Sequence, residues 1–190
     1  AIVLSPLGET IVAAHQIAIS ITSQLFMIPM SLAIALTIRI GTYYGEQNWI
    51  AMRKVQWIGL ATGTVLAFMT MLLLWFFKTQ IVALYTSDVV VTQIAVYLVL
   101  FAIAYQIMDA WQISAAGCLR GMQDTKGPMW ITMIAYWVIA FPVGLYLSRF
   151  TDMGPAGVWI GLIVGLSIAC VLLLTRLYMN NQRLSQKSPT

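Results

Sequence analysis

The sequence predicts an all-α fold: a polytopic integral membrane bundle of about five spanning helices. Three observations carry this expectation. The chain is 61% hydrophobic and only 8% charged, where a soluble domain carries about 25% charged residues. Its apolar residues fall into five runs, each close to the roughly 20 residues that cross a hydrocarbon core at about 1.5 Å per helical residue. Its basic residues gather on one side of those runs. Ten basic and six acidic side chains among 190 residues could not cover a soluble surface, so lipid is the solvent that fits.

The elements follow in order. Residues 1–7 hold neither an initiator Met nor a basic segment before an apolar core, so no signal peptide is read there. So abrupt an apolar start predicts a piece of a longer membrane protein. The first span, 11–38, carries a polar stripe of Gln16, Ser20, Ser23, Gln24, Met27 and Ser31 at three- and four-residue spacing. The stripe lines a cavity or packs a neighbouring helix, and the spacing serves both. Pro29 removes a backbone hydrogen bond, which a membrane tolerates where neighbours or water satisfy the freed carbonyl. His15, near the outer end, reads as a helix-end hydrogen bonder rather than a proton relay.

The second span, 55–77, ends in Trp75, Phe76 and Phe77, with Tyr85 beyond; Tyr43, Tyr44, Trp49 and Trp57 cluster at the opposite end. Amphipathic rings of this kind anchor at headgroup level. The third span is 90–118. The fourth, 129–148, contains Pro142 with Gly144 close by, which predicts a kink. The fifth is 156–179. These make a transmembrane bundle over 1–179, and polar residues 180–190 predict a disordered tail. Cys118 and Cys170 lie in apolar runs without partners at ligand spacing, so neither a disulfide nor a metal site is read from them. Most of the 11 methionines read as adaptable core filling.

Basic residues favour the cytoplasmic side. Arg39, Arg53, Lys54, Arg120, Lys126, Arg176, Arg183 and Lys187 fall on one side, and Lys78 and Arg149 on the other, eight against two. Glu9, Asp88 and Asp152 lie on the sparse side. The expected topology is an outer N-terminus and a cytoplasmic C-terminus. The basic residues sit singly between apolar runs and form no patch, which excludes nucleic acid as a partner. Membrane lipid is the expected surrounding.

Asp109 is the one acid or base deep within a span. A charge at the bilayer centre costs about 2.5–3.5 kcal/mol on insertion scales, so such residues face a bundle interior or a watery cavity. Tyr105, Gln106 and Gln112 stand four before, three before and three after it, which places all four on one helix face. Ile107 and Trp111 point away, towards lipid or a partner helix. A carboxyl in low dielectric favours its neutral form, and a nearby cation favours the charged form. Asp109 is therefore a candidate site for exchanging a proton with a metal cation or a cationic ligand. The alternative is a protonated Asp that ties two helices by hydrogen bonds. No phosphate-binding loop, metal-ligand pair or Ser-His-Asp set is present in the sequence, so no cofactor and no enzymatic activity are expected.

Several segments together resemble MATE (multidrug and toxic compound extrusion) transporters, in particular their bacterial NorM-like branch. They are 12–18 (VAAHQIA), 26–32 (FMIPMSL) and 37–41 (TIRIG), similar to that family's eighth helix; and 105–109 (YQIMD) with 119–121 (LRG), Asp124 and Thr125, similar to its tenth helix and the following loop. Ala135, Tyr136, Trp137, Pro142 and 154–159 (GPAGVW) continue the likeness to the end. The resemblance implies helices eight to twelve of a twelve-helix transporter in two lobes, exporting small cationic or amphipathic drugs in exchange for sodium ions or protons. It implies that Asp109 is the cation site, with Tyr105 beside it. The seventh helix's acid and the whole N-terminal lobe, a partner within the same protein, are not in this sequence. The alternatives are a flippase for lipid-linked precursors in the same superfamily, or a non-transporting scaffold subunit of the membrane.

Overall fold

The computed structural model describes residues 8–151 and 153–186. Among them, five helical segments are long and apolar enough to cross a membrane. Helix α1, Glu9–Gly45, is followed by α2, Trp49–Ala83, and α3, Val89–Gly121. The fourth segment is composite: α4, Lys126–Met133, a π-helical stretch, Ile134–Ala140, and α5, Phe141–Phe150. Helix α6, Pro155–Gln186, completes the bundle. Residues 1–7, Asp152 and Lys187, which entered the expectations for the N-terminus and the charge balance, lie outside the described residues.

Local chemistry sets the boundaries. Asn48 caps α2, its Oδ1 accepting from the Ala51 N–H at 3.1 Å. Asp88 caps α3, accepting from Val90 N–H at 2.8 Å and Val91 N–H at 3.1 Å. Such caps satisfy donors that a helix start leaves orphaned. The α1–α2 and α3–α4 turns place Gln47 (φ 55°) and Gln123 (φ 63°) in the left-handed region.

The helices overshoot the expected spans. Arg39 lies inside α1, Arg53 and Lys54 in the first turns of α2, and Arg120 in the last turn of α3, rather than in loops. The expected tail is corrected likewise, because α6 continues through Gln186 and only 187–190 lie beyond the described residues. Hydropathy reports where a helix leaves hydrocarbon, and the backbone stays helical into the headgroup zone, where long basic side chains snorkel. Aromatic rings meet them there: Arg39 lies 5.1 Å from the Tyr43 ring centroid, and Lys78 at the opposite end 4.9 Å from that of Trp75.

Helix α3 is the hub, packed against α1, α2 and α6, while α5 and the π-helical stretch lie along α6. The core divides into two clusters. One gathers Ala14, Ala18, Leu74, Leu98, Ala102, Ile103 and Trp159. The other gathers Leu36, Ile40, Met52, Ala115, Leu119, Leu173 and Leu177 at the basic end. On α3 the first cluster stops at Ile103 and the second starts at Ala115. Between them lie Tyr105, Gln106, Asp109, Gln112 and Ser114, a polar layer at mid-height.

Next to Pro142, where the sequence predicts a kink, the segment contains a π-helical turn. The Phe141 N–H bonds to the Tyr136 carbonyl, five residues back. Pro142 has no N–H to offer the preceding turn. At Gly161 of α6, an added Cβ would stand 2.5 Å from the Gly144 Cα and 2.7 Å from the Ala140 carbonyl. The two backbones approach so closely that only glycine fits, the small-residue packing common in membrane helices.

Candidate functional site

Asp109 opens onto a cavity of about 460 Å³ lined by α1, α2, α3 and α6. Helix α1 contributes Thr22, Ser23, Met27 and Pro29; α2 contributes Leu66 and Thr70; α6 contributes Leu162 and Leu166. Tyr105, Gln106 and Asp109 of α3 form the polar wall. Pro29 explains part of this shape. It offers no N–H to the Leu25 carbonyl one turn earlier, and both Leu25 and Pro29 line the cavity.

Each polar neighbour is held differently. The Gln106 Nε2 donates to Thr70 Oγ1 at 2.8 Å, fixing the amide to α2. The Tyr105 ring stacks on Trp159, centroids 6.3 Å apart and planes at 20°, and Trp159 meets His15 edge-on at 5.9 Å. Asp109 itself stands apart. The one ion pair among the described residues joins Arg176 to Asp124 at the basic end, and no Lys or Arg lines the cavity. An apolar-walled cavity with one uncompensated carboxyl is suited to attracting a cation or exchanging a proton.

The structure divides the expected same-face set. Gln112 does not line this cavity. It is buried, and its Oε1 accepts from the Tyr136 hydroxyl at 2.8 Å, facing the π-helical stretch. Six residues turn a helix through about 600°, which leaves Gln106 and Gln112 about 120° apart. Asp109 sits between them in angle, so one carboxyl has neighbours on two flanks. Trp111 points to a partner helix as expected, its Nε1 donating to Thr64 Oγ1 of α2 at 2.7 Å.

Of the α1 stripe, Met27 and Ser23 reach the cavity, and Gln16, Ser20, Gln24 and Ser31 do not. Gln16 is exposed, and Ser20 is half-buried. Gln24 Nε2 donates to the Tyr85 hydroxyl at 3.0 Å, tying α1 to the loop after α2. The Ser31 hydroxyl donates to its own helix at Met27 O, 2.8 Å. Thr70, Leu162 and Leu166 were not singled out from sequence. A lone threonine in an apolar run is a weak signal, and the leucines give none. Among the described residues, no three His, Cys, Asp or Glu side chains converge on a metal position.

Comparisons with known proteins agree with this architecture. The MatE family model matches residues 1–146. The probable multidrug resistance protein NorM of Acinetobacter baylyi is 74% identical over 188 residues, covering 99% of this chain and 42% of its own length. The multidrug resistance protein NorM of Photobacterium profundum is 44% identical over 182 residues, covering 93% of this chain and 40% of its own. The chain thus spans about two fifths of the length of these relatives. Among solved structures, the eukaryotic MATE transporter AtDTX14 superposes with a TM-score of 0.86 at 22% identity, over 94% of this chain and 40% of that one. A MATE structure in the bent conformation gives 0.89 at 19% identity, over 96% and 40%. At these identities the structural likeness establishes the fold.

Proposed function

This chain belongs to the MatE family, and from that premise we propose that it forms helices eight to twelve of a multidrug efflux transporter of the cytoplasmic membrane. The whole protein, in this reading, exports cationic or amphipathic compounds by antiport with sodium ions or protons, with the C-terminus in the cytoplasm. The relatives' names as multidrug resistance proteins and the eight-to-two bias of basic residues support it.

The single observation that carries the reading is the unpaired Asp109 carboxyl on the wall of a mid-membrane cavity. Loss of a proton leaves a charge that a sodium ion or a cationic drug can neutralise, and protonation removes the attraction. Tyr105 presents a hydroxyl beside it on a ring held by Trp159. The apolar walls, with Met27, Leu162 and Leu166, take a hydrophobic ligand body without reading its shape closely. The N-terminal lobe of the same protein completes the machine.

The test uses the full-length protein in vesicles, with sodium and pH gradients imposed separately. Asp109→Asn should insert normally and lose gradient-driven drug export. Export at the wild-type rate by that variant would falsify the assignment. The gradient that drives wild-type export identifies the ion.

A further inference from the structure

A second cavity, of about 640 Å³, lies between α2 and α6 at the basic end, apart from Asp109. Its walls change character along the bundle axis, and both helices agree on the direction. On α2 the lining runs from Arg53 and Gln56 to Leu60, Ala61 and Thr64. On the antiparallel α6 it runs from Ser185, Gln182 and Asn181 down to Leu177 and Leu174. Eleven residues of helix span about 16 Å, so the polar head and apolar trough together match a phosphate-bearing headgroup and the upper part of an acyl chain. Trp57 and Tyr178, 74% and 65% exposed, flank the groove. Such rings sit at headgroup level.

Arg53 supplies the charge, and the groove holds it in place. Its Nη2 donates to the Asn181 carbonyl at 2.9 Å and to the Ser185 hydroxyl. A guanidinium has five N–H donors. Arg53 Nε and Asn181 Oδ1 are both buried without a partner among the described residues. Among the described residues no Asp or Glu lines the groove, so the field at its head is positive. An anion with an apolar tail running along the bundle axis complements both parts, and basic pockets between spanning helices bind anionic lipid heads. We propose that this groove binds an anionic phospholipid, its phosphate at Arg53 and one acyl chain along Leu60, Ala61 and Leu174.

The experiment takes the full-length protein in phosphatidylcholine vesicles carrying a minor fraction of dibrominated phosphatidylglycerol. Quenching of Trp57 and Trp111, both on the groove wall, is read as the difference from a Trp57→Phe/Trp111→Phe variant. Quenching should saturate at about fivefold lower mole fraction than with dibrominated phosphatidylcholine, the preference that one basic side chain near the surface confers. Arg53→Gln should abolish that preference, and Arg53→Lys should keep most of it. Leu174→Trp, which fills the trough without touching the charge, should exclude both brominated chains. Its quenching is read against a matched Leu174→Trp/Trp57→Phe/Trp111→Phe background, and it keeps the proposal testable if Arg53→Gln fails to reconstitute. Equal quenching by the two lipids overturns the proposal, as does a preference that survives Arg53→Gln. Competition by inorganic phosphate would assign the head to a soluble anion instead. Absence of quenching by either lipid would mean that another part of the protein fills the groove.

Discussion

Arg176 grips Asp124 with two parallel bonds, Nε to Oδ2 at 2.5 Å and Nη2 to Oδ1 at 3.0 Å. This pair ties the turn between α3 and α4 to α6, and Asn180 joins it at 3.0 Å. The Arg176 guanidinium, helped by Asn180 and the Gly127 N–H, holds the Asp124 carboxyl below the usual carboxylate range. A lowered folded value means that the pair's contribution is complete above the unfolded value of about 3.9. It is lost as pH falls through the lowered folded value. Arg176 is 43% exposed, so solvent screening limits the pair to about 1 kcal/mol. Asp124→Asn in the full-length protein should lower thermal stability by that order at pH 7, and the difference from wild type should shrink in acid. A double-mutant cycle with Arg176→Met that returns no coupling would sink this account.

Tyr105 combines a packing role with a polar one, and two substitutions separate them. Tyr105→Phe keeps the ring on Trp159 and removes only the hydroxyl from the cavity. It should melt within about 0.5 kcal/mol of wild type, while under the proposed antiport the ion dependence of export by the full-length protein shifts. Tyr105→Ala also loses the stack and leaves a void beside a buried tryptophan, which should cost about 2 kcal/mol or more. Equal melting of the two variants would show that the stack contributes nothing.

Two glycines in different settings should respond oppositely to alanine. Gly161 faces the Gly144 backbone, which cannot yield as a side chain does. Gly161→Ala should destabilise by about 1–3 kcal/mol through overpacking. Gly45, in the last turn of α1, has nothing within 4 Å of an added Cβ. Gly45→Ala should be neutral or stabilise by up to about 1 kcal/mol through the unfolded chain. Thermal unfolding of the full-length variants checks both signs.

What the sequence made legible follows from what burial in lipid does to each residue type. Five spans were readable because crossing a membrane demands about 20 apolar residues whatever the tertiary structure. Asp109 was readable because its cost in hydrocarbon demands a reason. The helix ends were not, since hydropathy falls at the headgroups while α1 and α6 stay helical beyond Arg39 and Asn180. The sequence left Gln112 and the Gln16–Ser20–Gln24 row open between cavity lining and helix packing because both faces of a membrane helix tolerate occasional polar groups. Periodicity alone then lacks the polar-versus-apolar contrast that orients a soluble helix. The spacing of Gly157, Gly161 and Gly165 was a usable signal for the tight packing of α5 on α6.

The π-helical stretch has two available causes, and the packing of α5 on α6 distinguishes them. Ala135, Ala140, Gly144 and Ser148 are the buried positions of the π-helical stretch and α5. Ala140, Gly144 and Ser148 recur every four residues, but Ala135 precedes Ala140 by five, and a π turn absorbs the extra residue. In an unbroken α-helix Ile139 would stand where Ala140 now meets Gly165. Forcing that side chain into a backbone contact costs about 1–3 kcal/mol. Replacing Pro142 restores one hydrogen-bond donor, worth about 0.5–1.5 kcal/mol. The packing should therefore win. Pro142→Ala in the full-length protein should keep the π turn, read as an unchanged distance between spin labels at the exposed positions 130 and 146. Adding Ile139→Ala removes the obstacle, so the double variant should straighten and the distance should change. A change in Pro142→Ala alone would give the proline, rather than the glycine contact on α6, control of the π turn.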